Sequence, residues 1–238
     1  MNMNTLIKTN SSQRVDSKGR AYAGSQRWIQ EFVCQRADLL NNAILQALPS
    51  LSVLNPGIDW VSPLEADGFA EYYDERFLVA LGVDQYKQQL RTFWPRRGPH
   101  WDALARIHFG NGVGAILVEA KSYPAELLGS GCQASPRSRA QIETAFCQTK
   151  RWLGADPTAD WYGPLYQSAN RLAHLYFLRE IIKVPAWLVH VCFVADPRTP
   201  TPVDAWRPAL AVAEKQLGLS VPPPFATTVF LSVENHYA

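Results

Sequence analysis

Three residues whose types could bind a metal ion and activate water flank an Asn-Gly pair. Asp102 precedes Asn111-Gly112, and Glu119 and Lys121 follow it. This dipeptide is the strongest short-range indicator of a two-residue β-hairpin loop. If it forms the loop, Asp102 pairs with Lys121 and has Glu119 as its diagonal neighbour, whereas a shift by two residues pairs Asp102 with Glu119. Because side chains alternate along a strand, both pairings put the three charged groups on one face.

The position of these groups suggests metal chemistry. The preceding segment, residues 113–118 (VGAILV), is apolar on both faces, so Glu119 and Lys121 emerge from the end of a buried strand. Ionised groups are costly there unless they are paired or bound to metal. The carboxylates of Asp102 and Glu119, with the backbone carbonyl of Ala120, form a hard-oxygen set that suits Mg²⁺ or Mn²⁺. A lysine beside the metal can orient water, or deprotonate it if its ordinary pKa of about 10.4 is lowered.

The order of elements around these residues resembles the core of the PD-(D/E)XK nuclease superfamily. Over residues 71–194 it runs from a helix through a strand with Asp, a hairpin and a strand ending in Glu-x-Lys to a helix and a returning strand. The resemblance implies that Asp102 and Glu119 are metal ligands and that Lys121 is the catalytic lysine. It also implies hydrolysis of nucleic-acid phosphodiesters, DNA rather than RNA. The family's Pro-Asp is here spread over Pro99 to Asp102, so the assignment of Asp102 rests on the hairpin geometry.

Members of that superfamily often add a glutamate from the preceding helix and a polar residue from the following helix. For the first role Glu71 and Asp74 share a predicted helix face, and we favour Glu71. For the second role we favour Gln148 over Gln141, because it lies deeper in its helix, with Lys150 as the alternative. His100 and His108 are weaker candidates for catalysis. An ion pair at a strand end is the structural alternative for Asp102, Glu119 and Lys121.

A basic segment before Asp102 indicates a nucleic-acid partner. Between residues 85 and 101 the chain has four basic side chains and no acid, with Trp94 and Trp101 interleaved: Lys87, Arg91, Arg96 and Arg97. Such a segment suits a phosphate backbone or stacked bases, and a solvated basic loop is the alternative. A later helix carries a polar stripe, which lines a cleft or forms an internal network, and we favour the network: Gln167, Asn170, Arg171 and His174.

Length and composition set the boundaries. The 238 residues, 47% of them hydrophobic, are enough for one sizeable core, predicted over residues 25–238 after a flexible arm of residues 1–24. The net charge of +2 is too small to argue nucleic-acid binding by itself. The four cysteines have no CxxC spacing, and no span or signal peptide is evident, so we expect a cytoplasmic protein without a membrane partner. A homodimer or another protein partner stays open.

The periodicity predicts an α/β fold, a mixed central β-sheet flanked by helices, with a restriction-endonuclease-like core by resemblance. Predicted helices cover about 25–48, 64–82, 84–90, 135–153, 165–182 and 203–217. Predicted strands cover 91–94, the hairpin of 100–121, 184–194 and 227–233. The main alternative to a nuclease is a nucleic-acid-binding or interaction module that keeps the nuclease fold without turnover.

Overall fold

The computed structural model describes residues 14–110, 112–223 and 225–234, which contain eight α-helices and five β-strands. The predicted α/β class is confirmed, because helices flank a mixed five-stranded sheet. The helices are α1 (Gly24–Gln35), α2 (Ala37–Ala47), α3 (Pro49–Ser52), α4 (Glu75–Leu81), α5 (Lys87–Phe93), α6 (Pro136–Leu153), α7 (Tyr166–Tyr176) and α8 (Val203–Gln216). The strands are β1 (Gly57–Ser62), β2 (Ala103–Phe109), β3 (Gly112–Lys121), β4 (Ala186–Val194) and β5 (Ala226–Ser232).

The sheet has the order β1-β2-β3-β4-β5. Strands β1, β2 and β3 are antiparallel neighbours, whereas β3, β4 and β5 are parallel. A parallel sheet is covered on both faces, which explains the nearly continuous apolar runs of β3 and β4. The chain between β3 and β4 contains α6 and α7, and α7 brings its side chains to the end of β3 that carries Glu119 and Lys121.

Alternation along β3 divides the core in two. Ala115 and Leu117 pack toward the layer formed by α4 to α8. Ile116, Val118 and Ala120 pack toward α1 and α2 on the opposite face. Glu119 and Lys121 have the parity of Ala115 and Leu117, so they face the layer that contains α6 and α7.

The hairpin register differs from the first of the two predicted pairings. Phe109 pairs with Gly112 and Ala103 pairs with Val118, so Gly112 belongs to β3 and the connection is residues 110–111. Gly110 has a φ of 53°, a left-handed conformation that glycine adopts readily. Asn111 itself lies outside the described residues. This is the pairing shifted by two residues, and it keeps Asp102, Glu119 and Lys121 on one face as predicted.

Several predicted elements are confirmed. Ser135 is the N-cap of α6 and accepts a hydrogen bond from the backbone N–H of Ser138, and the helix ends at Leu153 as predicted. Strands β4 and β5 and helix α8 occupy the predicted segments. The predicted helix of 165–182 is α7 followed by a π-helical turn, Phe177–Ile181. The N-terminal helix instead breaks at Arg36, which leaves the helical region with a φ of −133° and a ψ of 31°, and its N-cap is Ala23 rather than Ser25.

Three predictions in the first half of the chain are wrong. Residues 57–62, for which no strand was predicted, form β1, an edge strand whose side chains are mostly exposed or half-buried. Within the predicted helix of 64–82, only a short 3₁₀ turn, Glu65–Asp67, and α4 are helical. Asp74, the N-cap of α4, has a φ of 49° and so interrupts the predicted helix. The predicted strand of 91–94 is the end of α5.

Part of the predicted N-terminal arm is folded onto the domain. Val15 and Ala21 form a β-bridge, and the side chain of Gln30 binds the backbone N–H of Ala21 at 2.8 Å and the carbonyl of Gly19 at 3.2 Å. Residues 1–13 of the arm lie outside the described residues. Across the part of the chain that is described, helices long and apolar enough to cross a membrane are absent.

Candidate functional site

The predicted triad comes together at the end of β3. Asp102, just before β2, accepts a hydrogen bond from the backbone N–H of Ala120 through Oδ2 at 2.7 Å. Lys121 Nζ donates to Glu119 Oε1 at 2.5 Å. We refer to Glu71, Asp102, Glu119, Lys121 and Arg171 as the carboxylate cluster, for the contacts given in this subsection.

Glu119 is held by two cations. Arg171 Nε donates to Glu119 Oε2 at 2.5 Å, and Lys121 binds the other oxygen. The side chains of Glu119 and Arg171 are only 6% and 3% exposed. Burial would raise the pKa of Glu119, but the charges of Arg171 and Lys121 outweigh it and the pKa is lowered. Glu119 is therefore an ionised carboxylate whose two oxygens both carry strong hydrogen bonds.

The polar side chains of α7 form the predicted internal hydrogen-bond network, and this network reaches the carboxylate cluster. Arg171 also donates to Asn170 Oδ1 at 2.8 Å and to the carbonyl of His100 at 2.7 Å. Gln167 Oε1 accepts from Lys121 Nζ at 3.1 Å. The fourth member, His174, is buried, and burial lowers its pKa to about 3, so it is a neutral core histidine.

Glu71 lies at the margin of the cluster, on an extended segment and not on the predicted helix. Its neighbour Tyr72 bridges to Trp101, which brings Glu71 close to Asp102. Gln26 Nε2 donates to Glu71 Oε1 at 2.9 Å. Burial raises the pKa of Glu71; the hydrogen bond from Gln26 opposes this effect, and the charge of Glu119 adds to it.

The rival candidate, Asp74, has a structural role. Its carboxylate accepts hydrogen bonds from the backbone N–H groups of Arg97 at 3.0 Å and Gly98 at 2.7 Å. It therefore fixes the loop before β2. The preference for Glu71 agrees with this placement.

Asp102 is the carboxylate with the most unfavourable environment. Burial, followed by the charge of Glu119, raises its pKa from 3.8 to about 8, against the opposing charge of Lys121. Within the described chain, lysine and arginine side chains within ion-pair distance of Asp102 are absent. Asp102 is thus predominantly protonated at neutral pH unless a further cation approaches.

This raised pKa predicts how stability changes with pH. Between 3.8 and about 8 the folded protein holds a proton on Asp102 that the unfolded chain has lost, so the stabilisation from Asp102 falls as pH rises. We expect Asp102→Asn to gain melting temperature relative to the parent between about pH 5 and about pH 8. The gain should be about 2–4 °C per kcal/mol, measured by thermal melts. Asp59→Asn, at an exposed site, is the control, and a constant difference across this range would contradict the assignment.

The surroundings of Lys121 favour the first of its two expected roles, orientation of water, over deprotonation. Burial alone would lower the pKa of Lys121, but the carboxylates of Glu119 and Asp102 outweigh burial and raise it. Lys121 is therefore a protonated ammonium in this arrangement. Its positive charge can stabilise a phosphate. Because the charges of Glu119 and Asp102 favour its protonated form, Lys121 cannot take a proton from water in this arrangement.

The cluster fits a hard divalent cation in part. Asp102 has a raised pKa that a nearby cation would lower, which is what a metal ligand requires. Glu119 could join it only if Lys121 released Oε1. Across the described ranges, no three His, Cys, Asp or Glu side chains form a ready metal-binding group. A site of two carboxylates completed by the Ala120 carbonyl and water is compatible with this finding, since Mg²⁺ commonly keeps several waters.

The predicted helix residues downstream lie outside the cluster. Gln148 lines a groove of about 400 Å³ between α5 and α6, together with Gln141. Gln141 Nε2 also donates to the carbonyls of Arg91 and Thr92. Lys150 Nζ binds the carbonyls of Pro157 and Ala159. The side chain that reaches Lys121 is instead Gln167, because α7 and not α6 passes over the end of β3.

The two weaker histidine candidates also make contacts of their own. The ring of His100 stacks on Tyr73 with 4.1 Å between centroids, and its carbonyl accepts from Arg171. His108 Nε2 lies 3.0 Å from Asp59 Oδ2 on the exposed edge of the sheet. Neither side chain reaches Asp102 or Glu119 by a hydrogen bond in the described part of the chain.

The basic segment is only partly free to bind phosphate. Lys87 pairs with Asp84, and Arg91 pairs with Glu75. Arg96 and Arg97 are exposed and line a cavity of about 470 Å³ at the start of α6. Trp94 and Trp101 are buried core residues, so the expectation that they interleave with the basic residues as base-stacking partners is wrong.

Sequence reasoning missed Arg171 as the partner of Glu119, and it missed His190. On β4, His190 pairs laterally with Glu119 and faces the same layer. It is the one histidine in the apolar run of β4, which is the signal that could have found it. Burial lowers the pKa of His190 to about 4 despite the charge of Glu119, so its imidazole is neutral near pH 7.

Comparison with family models, with curated proteins and with solved structures finds no match to this chain. The functional argument therefore rests on the geometry and charge of the carboxylate cluster and of the surfaces around it.

Proposed function

We propose that this protein is a divalent-metal-dependent nuclease that hydrolyses phosphodiester bonds, with DNA as its substrate. The observation that carries the proposal is the state of Asp102: a half-buried carboxylate whose pKa is raised to about 8, beside a second carboxylate and a lysine. Perturbed pKa values produced by burial and like charges are characteristic of functional sites. The resemblance to the PD-(D/E)XK superfamily supports the same assignment.

The charge of the cluster supports a metal and a phosphate together. When an approaching cation ionises Glu71 and Asp102 as well as Glu119, these three carboxylates exceed the two positive charges of Lys121 and Arg171 by one. A divalent cation would bring this to +1, and one phosphodiester anion would then bring it to zero. Ionised groups at a buried strand end are stable when such neutralisation is available.

Each residue of the cluster has a role in this proposal. Asp102 and Glu119 hold the metal with the carbonyl of Ala120, and Glu71 contributes negative charge from the margin. Arg171 keeps Glu119 ionised and in place. Lys121, released from Glu119 Oε1, contacts the scissile phosphate, and Gln167 guides its ammonium. A bound Mg²⁺ or Mn²⁺ supplies Lewis acidity and lowers the pKa of bound water.

For the DNA backbone we propose Arg96 and Arg97 as the principal contacts. Their neutralisation to glutamine should reduce the slope of log affinity against log salt by about two, because each phosphate contact releases about one counterion. The matched control is Lys87→Gln with Arg91→Gln, whose parents already pair with acids. Fluorescence anisotropy over a salt series measures the slope for each double variant. Equal changes in the two slopes would contradict the assignment of Arg96 and Arg97 as the principal phosphate contacts.

A second function is favoured by one observation, the engagement of both Glu119 oxygens by cations. A cluster that is satisfied internally in this way is compatible with a binding module that keeps the fold without turnover. The protein would then bind DNA through the same arginines with no metal requirement.

A cleavage assay tests the proposal. We expect the purified chain to cleave duplex, single-stranded or branched DNA with Mg²⁺ or Mn²⁺ and not with chelator. Asp102→Asn should reduce the rate by at least about 100-fold, since even outer-shell changes at metal sites cost 10- to 100-fold. Asp59→Asn, at an exposed carboxylate, should cleave like the parent. A parent that binds these DNAs and cuts none of them with either metal would overturn the nuclease and leave the binding module.

A further inference from the structure

A cavity of about 390 Å³ lies beside the carboxylate cluster, between α7, α8 and the last two strands. Its walls are mainly apolar and include Leu172, Leu210, Leu217 and Phe230. The polar groups that line it include Ser168, His190, Thr228, Arg207 and Glu214. Concave, mostly apolar cavities of this size with a few polar groups are typical small-molecule sites.

The strand register connects this cavity to the cluster. Glu119, His190 and Thr228 form one lateral row across β3, β4 and β5. In a parallel sheet such residues face the same side, with about 4.8 Å between neighbouring strands. His190 therefore separates Glu119 from the cavity, and the cavity begins one strand away from the candidate metal ligands.

The next row gives the cavity a direction. Lys121, Cys192 and Phe230 are lateral neighbours, so Phe230 lies about 10 Å from Lys121, two strand spacings away. The guanidinium of Arg207 lies over the Phe230 ring at 5.6 Å. Glu214 is seven residues further along α8, about 10 Å from Arg207 along the axis. The cationic end of the cavity is thus the end nearest Lys121.

We propose that this cavity receives the base of the nucleotide adjacent to the scissile phosphate, turned out of its strand. The inference rests on the proposed function and specifies its substrate, a strand with an unstacked base. Apolar walls suit the faces of a base, the neutral imidazole of His190 and the hydroxyl of Thr228 can bind its edge, and Arg207 can bind the neighbouring phosphate.

Adjacent residues of α8 provide a matched pair of variants. Ala211 lines the cavity and is exposed, so Ala211→Phe would fill the cavity without disturbing the core. Val212 is 54% exposed and lies outside the cavity lining, so Val212→Phe adds an aromatic ring on another side of the helix. Circular dichroism and melting temperature should be the same for both variants.

The test uses a single-stranded oligonucleotide with one 2-aminopurine, titrated with the full chain in chelator so that no strand is cut. We expect the fluorescence of 2-aminopurine to rise on binding to the parent and to Val212→Phe, because the base leaves its stacked neighbours. Ala211→Phe should abolish the rise and weaken binding about tenfold, the loss of one stacked base. Arg207→Gln should weaken binding and reduce its salt slope by about 0.7, the value for one phosphate contact on a single strand.

Three results would overturn this inference. The first is an unchanged 2-aminopurine fluorescence when the parent binds, and the second is the same fluorescence change and affinity for Ala211→Phe and Val212→Phe. The third is an affinity of the parent for the 2-aminopurine mononucleotide equal to that for the oligonucleotide, which would identify a free nucleotide as the ligand. The cleavage assay tests the nuclease activity independently of the cavity. DNA cleavage that does not depend on the cavity would overturn only the base site, whereas base capture without cleavage would overturn only the nuclease.

Discussion

Lys121→Met is expected to lower metal-dependent DNA cleavage by about 10²- to 10³-fold, the loss typical for a positioned group that stabilises charge in the transition state. The raised pKa of Lys121 keeps its ammonium protonated, so in the proposed mechanism Lys121 would stabilise the phosphate as a cation and would not act as a base. Removal of this competing cation from Glu119 should leave the affinity for Mn²⁺ unchanged or tighter. Single-turnover rates and calorimetric titration with Mn²⁺ measure the two effects.

The charge-conserving variant separates the two roles of this lysine. Lys121→Arg keeps a cation near Glu119, so it should recover part of the rate if charge is what matters. Arginine stays protonated at all relevant pH values and cannot act as a base. Equal loss in the Met and Arg variants, with intact metal affinity, would argue for proton transfer by Lys121 instead.

Arg171→Met is expected to destabilise the fold by about 3–5 kcal/mol, because it leaves Glu119 buried without its main partner. For a chain of this length that corresponds to a decrease of about 6–20 °C in melting temperature. The same change removes hydrogen bonds to Asn170 and to the His100 carbonyl, and a cation 4.9 Å from the Trp101 ring. Denaturant unfolding followed by circular dichroism measures the free energy directly.

Two controls make this result specific. Arg106→Met removes another partly buried arginine, whose Nε binds only the carbonyl of Ala80, and should be the milder change. The double variant Arg171→Met with Glu119→Gln removes the uncompensated charge and should recover part of the lost stability. If the loss of unfolding free energy in the double variant equals the sum of the losses in the two single variants, Glu119 and Arg171 are not coupled.

The fold was predictable where the local signals agreed with one another. Helix α6 has its Ser135 cap and first-turn proline, and β4 has a nearly continuous apolar run. Edge strand β1 lacks such a run, since it pairs with a single strand and most of its side chains are exposed or half-buried. The segment before α4 has helical periodicity, yet Asp74 has a positive φ and binds the loop before β2, so the helix begins only at Glu75. Tertiary contacts of this kind leave no local pattern.

The candidate site was predictable as far as it depends on which face of the hairpin each side chain occupies. A two-residue alternation is enough to place Asp102, Glu119 and Lys121 on one face, even though the exact pairing differed. Arg171 and His190 were not identified, since their approach to Glu119 depends on a parallel pairing across a long crossover. Their signals were weak but present: a polar stripe on α7 and one histidine within β4.

The aromatic residues of the basic segment show the opposite error. Trp94 and Trp101 are close in sequence to Arg96 and Arg97, which suggested a stacking surface. Both rings point into the core, where Trp101 lies beside Phe77 and Arg171. Composition along the chain does not reveal which side of a loop faces solvent.

One face of the sheet is closed by helices from the opposite end of the chain, and this has a consequence for synthesis on the ribosome. Trp28 Nε1 donates to Asp196 Oδ2 across 168 residues, and Arg36 binds the carbonyls of Ser232 and Val233. Helices α1 and α2 are made before the sheet, and the core that they share with β2 to β5 is incomplete until β4 and β5 have been made. At about 5–20 residues per second the nascent chain must keep these helices from aggregating for on the order of ten seconds or more. A chain that stops before β5 would be a natural client for chaperones.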